Sequence, residues 1–362
     1  MTKQRWPALD GLRAVAVGLV MVGHFAHVTI VGSLGVETFY VISGFLITWL
    51  LLEEHEATGT INKGTFWFRR TLRIFPAFYT FLLVNAAVLA GSSAMPRPAF
   101  WIAAATYTAN YYVATHVEPS GALTHTWSLA VEEQFYLLWP IALSILLRKR
   151  RRTTIAALIG TMALITFWRC GLLWIVGVPR HYLQFALDTR ADFLAVGALI
   201  AVAWNAESFR AFAARLTRWS WLPLISIGGL GFTAAFFGLA REFEVTSPVD
   251  VILLGVLLVQ LMTLAGRGWW GILDRPLMRW LGTISYSLYL YHYLIWTAVG
   301  WVVSSQLARG ILGALLAVPV AALSYYVIER PFLRLRERLR PATATPALYG
   351  SSVGVEPGQA AA

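Results

Sequence analysis

Residues 9–25 read LDGLRAVAVGLVMVGHF and belong to an apolar run that extends over about 11–31. A helix needs about 20 residues to cross the hydrocarbon core of a bilayer, so this run is long enough to span a membrane. It nevertheless carries Arg13 and His24. An ionisable side chain inside a membrane helix costs roughly 2.5–3.5 kcal/mol on insertion scales, so both side chains are candidates for function.

Nine further apolar runs of similar length follow along the chain. They lie near 34–52, 74–91, 128–147, 154–174, 184–204, 220–239, 249–266, 283–303 and 309–328. The 362-residue chain is 58% hydrophobic and only 13% charged, whereas soluble domains carry about 25% charged residues. The sequence therefore predicts an all-α integral membrane protein with about ten transmembrane helices.

The positions of Lys and Arg orient the predicted helices. If the N-terminus is cytoplasmic and the ten runs alternate, the basic clusters at 148–152, 210–218 and 330–340 all lie on the cytoplasmic side. The segment 97–114 is more polar than these runs. If it also crossed the membrane, every basic cluster that follows it would lie on the outer side. We therefore predict that 97–114 is interfacial or re-entrant at the outer face, and that both termini are cytoplasmic. The net charge of +11 belongs to these loops and does not indicate nucleic-acid binding.

The organisation predicted from composition is one membrane domain at 1–335 followed by a tail at 336–362. The tail is basic at first and then rich in Ala, Pro, Gly and Ser, which is typical of a disordered segment. No cleavage site follows the first apolar run, so this run is expected to be a membrane helix rather than a signal peptide. The single cysteine, Cys170, excludes a disulfide within the chain, and no histidine pair has zinc spacing, so no metal site is predicted.

Arg13 and His24 are expected to share one face of the first helix. The second residue follows the first by eleven positions, which at 100° per residue returns to nearly the same face about 16 Å along the axis. An imidazole can act as a general base at neutral pH, and Glu37, near the start of the second helix, could orient it. The alternative for His24 is a hydrogen bond that only packs helices together.

Arg70 and Arg73 are spaced i, i+3 and are therefore expected to share a face where the third helix begins. They lie in FWFRRTLRIFPAFY, residues 66–79, among aromatic residues rather than in a polar loop. A guanidinium group matches the oxygens of a phosphate, so this pair is a candidate site for a phosphate-bearing ligand. The alternative is the ordinary excess of positive charge at the cytoplasmic side.

Further ionisable residues lie in later helices. Glu132 and Glu133 are expected one turn into the fourth helix, where each needs a partner. Asp188, Arg190 and Asp192 begin the sixth helix and could form a structural ion network among themselves. His292 and Glu329 complete the set of ionisable candidates.

Seven segments, in order across nearly all of 1–335, resemble the acyltransferase 3 family of membrane acyltransferases. The segments that carry the resemblance are LDGLRAVAVGLVMVGHF (9–25), GVETFYVISGFLIT (35–48), RRTLRIFPAFY (69–79), TWSLAVEEQFYLLWP (126–140), TRADFLAVGALIA (189–201), SYSLYLYHYLIW (285–296) and IERPF (328–332).

The resemblance implies a ten-helix core in the bacterial cytoplasmic membrane, a cytoplasmic acyl-CoA donor (most often acetyl-CoA) and a sugar-containing acceptor. Some members of the family carry an extra helix and a C-terminal extracytoplasmic hydrolase-like domain; neither is evident in this sequence, so the stand-alone form is expected. The family motifs fall on catalytic candidates His24, Glu37 and Glu132 and on donor-binding candidates Arg13, Arg70 and Arg73.

The sequence thus favours transfer of an acyl group, expected to be acetyl, from acyl-CoA to a hydroxyl, with His24 as general base. A covalent acyl-histidine route would use the same residues. The alternative function is a transporter or flippase for a sugar or a lipid-linked glycan. Transporters often contain two corresponding halves, and no such halves are found in this chain.

Overall fold

The computed structural model describes residues 6–116, 121–240 and 243–338, and within these ranges the chain is helical, without strands. The helices are α1 (Pro7–Phe25), α2 (Thr29–Thr58), α3 (Lys63–Leu89), α4 (Pro98–Ala105), α5 (Ala109–Thr115), α6 (Thr126–Leu146), α7 (Arg151–Gly171), α8 (Arg180–Phe185), α9 (Leu187–Trp204), α10 (Glu207–Leu216), α11 (Leu222–Ala240), α12 (Phe243–Leu264), α13 (Pro276–Thr283), α14 (Ser285–Val299), α15 (Gln306–Ser324) and α16 (Arg330–Arg338). Two π-helical turns, Leu172–Val176 and Tyr325–Glu329, extend α7 and α15.

Each of the ten predicted apolar runs overlaps one long helix, but the first run, 11–31, is too long, because α1 ends at Phe25 and α2 begins at Thr29. Seven helical segments are long and apolar enough to cross a membrane. The other three runs correspond to α9, α11 and α14. Helix α14 has only 15 residues, and α9 carries three charged residues near its start. The prediction of an all-α, multi-pass membrane protein is confirmed, whereas the number ten and the cytoplasmic position of both termini stay predictions.

The segment 97–114 does not form one continuous helix. It contains α4 and α5, of eight and seven residues, and Tyr107 between them has a left-handed backbone with φ 54°. Each piece is much shorter than the ~20 residues that a span requires. The break agrees with the prediction that this segment does not span, and its place at the outer face stays a prediction.

The predicted start of the third helix, near residue 74, is wrong. Helix α3 begins at Lys63, where the side chain of Asn62 accepts a hydrogen bond of 2.9 Å from the backbone nitrogen of Thr65. Such a cap satisfies a free N–H group of the first turn and fixes the helix start. Arg70 and Arg73 therefore lie two to three turns inside the helix, a position that an apolar-run criterion misses because it excludes the arginines themselves.

Glycines bring α2 and α9 into close contact. A Cβ atom on Gly44 would lie 2.0 Å from the carbonyl oxygen of Leu194, and one on Gly197 would lie 2.1 Å from that of Val41. Small residues at helix crossings are the usual means of packing helices in lipid, which offers no hydrophobic drive for their association. This contact places the polar start of α9 beside the first half of α2.

Two buried ion pairs join the helices at this crossing. Arg190 of α9 contacts Glu37 of α2 at 2.7 Å, and Arg169 of α7 contacts Asp192 of α9 at 2.6 Å. Arg190 and Asp192 interact electrostatically, as the predicted ion network implies, but the ion pair of each residue joins α9 to another helix. Since a buried charge needs a partner, these pairs fix the register of three helices against one another.

The boundary between the predicted membrane domain and its tail falls inside a helix. Helix α16 runs through position 335 to Arg338. The rest of the predicted tail, 339–362, lies outside the described residues.

Candidate active site

Three histidines that are far apart in the sequence meet at one end of the bundle. His24 lies in the last turn of α1, His125 directly before α6 and His292 in the middle of α14. Nδ1 of His24 is 2.8 Å from Nε2 of His292, and the rings of His125 and His292 have centroids 5.1 Å apart. His125 and His292 are buried, whereas His24 is partly exposed. We call these residues the histidine cluster.

Hydrogen bonds in the histidine cluster define which nitrogen of each ring carries the proton. Nδ1 of His292 is 2.7 Å from the carbonyl oxygen of Tyr289, which can only accept, so this nitrogen is protonated. In the neutral ring Nε2 of His292 is then the acceptor, and Nδ1 of His24 donates to it. Nε2 of His24 is left with the lone pair, as a general base requires, and it makes no hydrogen bond within the described part of the chain.

The predicted contact between Glu37 and His24 is not formed. The Oε1 atom of Glu37 accepts from Arg190 at 2.7 Å, and its Oε2 atom is buried without a hydrogen-bond partner. The buried guanidinium group of Arg190 takes the carboxylate because an unpaired charge would be costly there. The group that orients His24 is His292. This partner could not be predicted from local periodicity, because 268 positions separate the two histidines.

A second layer of polar contacts supports the histidine cluster. The hydroxyl of Tyr289 donates to the carbonyl oxygen of His125 at 2.9 Å and makes a short contact with the hydroxyl of Ser128. His125 itself donates from Nε2 to the carbonyl oxygen of Leu290 at 3.1 Å. Among the described residues, no three His, Cys, Asp or Glu side chains are arranged to hold a metal ion.

Glu132 lies one turn after Ser128 on α6, on the same face, and belongs to a different set of contacts. It accepts hydrogen bonds from the hydroxyls of Ser43 at 2.8 Å and Tyr136 at 3.2 Å. The guanidinium carbon of Arg70 lies 4.1 Å from the centre of the Tyr136 ring. Glu132 therefore faces the arginines of α3 and α1 rather than the histidines.

The three arginines predicted to bind the donor come together in the tertiary structure. Arg13 and Arg70 both interact electrostatically with Glu132, and Arg13 and Arg73 both interact with Glu329. We call Arg13, Arg70 and Arg73 the arginine cluster. It joins α1 and α3, whose arginines are about 60 positions apart in the sequence.

Glu329 closes the arginine cluster from the side of α15. It is the last residue of the π-helical turn and accepts a short hydrogen bond from the hydroxyl of Ser287. Such turns occur often at functional sites, because the extra residue redirects the side chains that follow. Glu329 is among the ionisable candidates of the sequence, but hydropathy gives no signal for this π-helical turn.

Comparison with known proteins agrees with these observations. The family profile described as "Acyltransferase domain" matches residues 6–328. O-acetyltransferase OatA of Staphylococcus aureus (strain NCTC 8325 / PS 47) is 32% identical over 351 residues, which cover 90% of this chain and 57% of that protein. Peptidoglycan O-acetyltransferase OatA of Listeria monocytogenes serovar 1/2a is 29% identical over 352 residues, which cover 90% and 55%.

The chain thus spans a little over half the length of the curated relatives that it matches. No solved structure matches it significantly. The profile extends over α1 to the π-helical turn before α16, and so includes both the histidine cluster and the arginine cluster. The chain belongs to the acyltransferase 3 family.

Proposed function

We propose that this protein transfers an acetyl group from cytoplasmic acetyl-CoA to a hydroxyl of a sugar-containing acceptor at the bacterial cytoplasmic membrane. The observation that carries this proposal is the lone pair on Nε2 of His24, which the hydrogen bond to His292 leaves available. The names of the S. aureus and L. monocytogenes relatives support acetyl as the acyl group. The name of the L. monocytogenes relative, a peptidoglycan O-acetyltransferase, favours a glycan as acceptor.

The arginine cluster supports a coenzyme A donor. Arg13, Arg70 and Arg73 present three guanidinium groups, and guanidinium is the group that best matches phosphate oxygens. The predicted topology places them toward the cytoplasm, where acetyl-CoA is made. Four acids accompany these arginines, since Asp10, Glu132, Glu133 and Glu329 each interact electrostatically with at least one of them.

In the proposed reaction, Nε2 of His24 takes the proton of the acceptor hydroxyl while the oxygen attacks the thioester carbon. The C–S bond then breaks, and the thiolate of coenzyme A receives the proton from His24. The positive charge that forms on His24 is stabilised by its Nδ1–H bond to His292, because a charged donor makes a stronger hydrogen bond. An acyl-histidine intermediate would use the same nitrogen.

The proposal is tested in proteoliposomes with [14C]acetyl-CoA and glycan acceptors, including peptidoglycan fragments and lipid-linked glycans. We expect label in a glycan only when acetyl-CoA is supplied at the face that carries the arginine cluster. If the protein instead accumulates labelled glycan inside vesicles that contain no acetyl-CoA, it is a transporter and the proposal fails.

His292 is expected to act as a positioning residue. In His292→Leu, Nδ1 of His24 loses its acceptor, and we expect kcat to fall about 10²-fold because the base is no longer held in one tautomer and orientation. His292→Gln keeps an acceptor oxygen and should recover part of this loss. The KM for acetyl-CoA should not change, since the arginine cluster is intact. Equal activity of the leucine and glutamine variants would contradict this role.

A further inference from the structure

A partly exposed arginine lies at the same end of the bundle as the histidine cluster. Arg309 is in the first turn of α15, and the connection from α14 brings it over Trp296. Its guanidinium carbon lies 3.3 Å from the centre of the Trp296 ring, and its Nε atom donates to the Trp296 carbonyl oxygen at 2.8 Å. These two contacts hold the guanidinium group in one position.

Gly300 makes room for this guanidinium group. A Cβ atom at position 300 would lie 2.3 Å from the guanidinium carbon of Arg309, closer than any real contact. A glycine at the end of α14 is therefore required for the observed position of Arg309, and the site is built by residues of both α14 and α15 rather than by one flexible side chain.

The charge of Arg309 is not balanced by the protein. Within the described ranges it contacts Trp296 and lies near Tyr293, but no carboxylate of those ranges pairs with it. Its two terminal nitrogens keep their donors free of protein acceptors there. A fixed fork of N–H donors without a counter-ion is suited to a carboxylate or phosphate group.

Aromatic rings connect Arg309 to the proposed base. Trp296 packs on Tyr293 with ring centroids 5.5 Å apart, and Tyr293 packs edge-on against His24 at 5.1 Å. His27, which follows α1, packs edge-on against Trp296 with ring centroids 5.4 Å apart. A continuous series of ring contacts therefore leads from Arg309 through Trp296 and Tyr293 to His24 at the predicted outer end of the bundle.

From these contacts we infer that Arg309 binds an anionic group of the acceptor and thereby selects a glycan that carries a carboxylate or phosphate near the acetylated hydroxyl. The inference rests on the proposed function, because it assigns the acceptor side of the same reaction. Arg309 contacts the acceptor and not the acetyl group, so its expected effect is on acceptor binding.

The test measures thermal unfolding of the purified protein in detergent with methyl glucuronide, its neutral methyl ester and methyl phosphate as probes. A ligand that binds only the folded state raises the midpoint with concentration. We expect the two anions, but not the ester, to raise it. In Arg309→Gln the half-maximal concentration should rise by roughly tenfold or more, since hydrogen bonds to charged groups are lost.

Two further variants keep this test specific. Arg218→Gln removes an arginine that stacks on Trp219 at 4.2 Å, and it should respond to the anions as the wild type does. Gly300→Ala keeps the charge but displaces the guanidinium group, so it should weaken the anion effect. An anion effect that survives in Arg309→Gln, or no anion effect in the wild type, would overturn the inference.

Measurements with acetyl-CoA and phosphatidylglycerol show whether a negative result concerns Arg309 alone, the proposed function or a lipid site. If acetyl-CoA still raises the midpoint while the anions do not, the acceptor inference fails and the proposed function stands. If acetyl-CoA has no effect, the proposed function itself fails. If phosphatidylglycerol in the micelles removes the effect of methyl glucuronide at low mole fraction, Arg309 is a lipid site and the inference fails.

Discussion

Replacement of His24 by alanine is expected to lower acetyl transfer by about 10²–10⁴-fold, the range that general acid–base catalysis contributes. The physical reason is the hydrogen-bond arrangement, in which His24 keeps its lone pair on Nε2 because Nδ1 donates to His292. His292 is not expected to replace it, because that residue is fully buried, whereas His24 is partly exposed. The measurement is the initial rate of label transfer at saturating acetyl-CoA.

Two controls separate catalysis from folding. His116→Ala removes an exposed histidine that stacks on Tyr112, outside the histidine cluster, and should transfer acetyl groups at the wild-type rate. His24→Ala should still be protected by acetyl-CoA against thermal unfolding. Transfer at more than a tenth of the wild-type rate in His24→Ala would remove this residue from the mechanism.

Arg73→Gln is expected to weaken the binding of acetyl-CoA and of free coenzyme A. A hydrogen bond between charged groups contributes about 1.5–3 kcal/mol. Its loss should therefore raise Kd by roughly 10- to 150-fold. The readout is the midpoint of thermal unfolding as a function of ligand concentration. A ligand that binds the folded protein raises this midpoint, and a ligand that binds more weakly raises it less at the same concentration. Longer acyl-CoAs measured in the same way rank the preferred acyl chain.

Arg148→Gln is the matched control for this prediction. Arg148 is exposed, lies outside the arginine cluster and belongs to the basic segment 148–152, which the predicted topology also places at the cytoplasmic side. The substitution removes the same charge from the same predicted side of the membrane and should leave protection by acetyl-CoA nearly unchanged. Equal losses in the two variants would mean that net charge, rather than a defined phosphate site, attracts the donor. Undiminished protection in Arg73→Gln would exclude it from the donor site.

The fold class followed from local features of the sequence. An apolar run of about 20 residues indicates a membrane helix whatever surrounds it. The reason is that backbone N–H and C=O groups in lipid must form their hydrogen bonds within the segment. The same local periodicity placed Arg13 with His24, and Arg70 with Arg73, on common helix faces. The ends of the helices were less predictable than their existence. The start of α3, for example, depends on the cap at Asn62 and not on hydropathy.

The partners of the polar residues could not be derived in this way. Glu37 was expected to orient His24 because the two residues are near in sequence, yet Glu37 pairs with Arg190, 153 positions away. His24 instead contacts His292. Both contacts join helices that are far apart in the chain, and no periodicity within one helix indicates which other helix lies beside it.

The sequence by itself therefore determined the membrane helices, the family and the ionisable residues that such helices carry at a cost. The tertiary structure decided which of those residues meet. The physical reason is that lipid tails are as apolar as the helix surfaces, so hydropathy does not select neighbours. Close glycine contacts such as Gly44 with Leu194, and the need of each buried charge for a partner, make that selection.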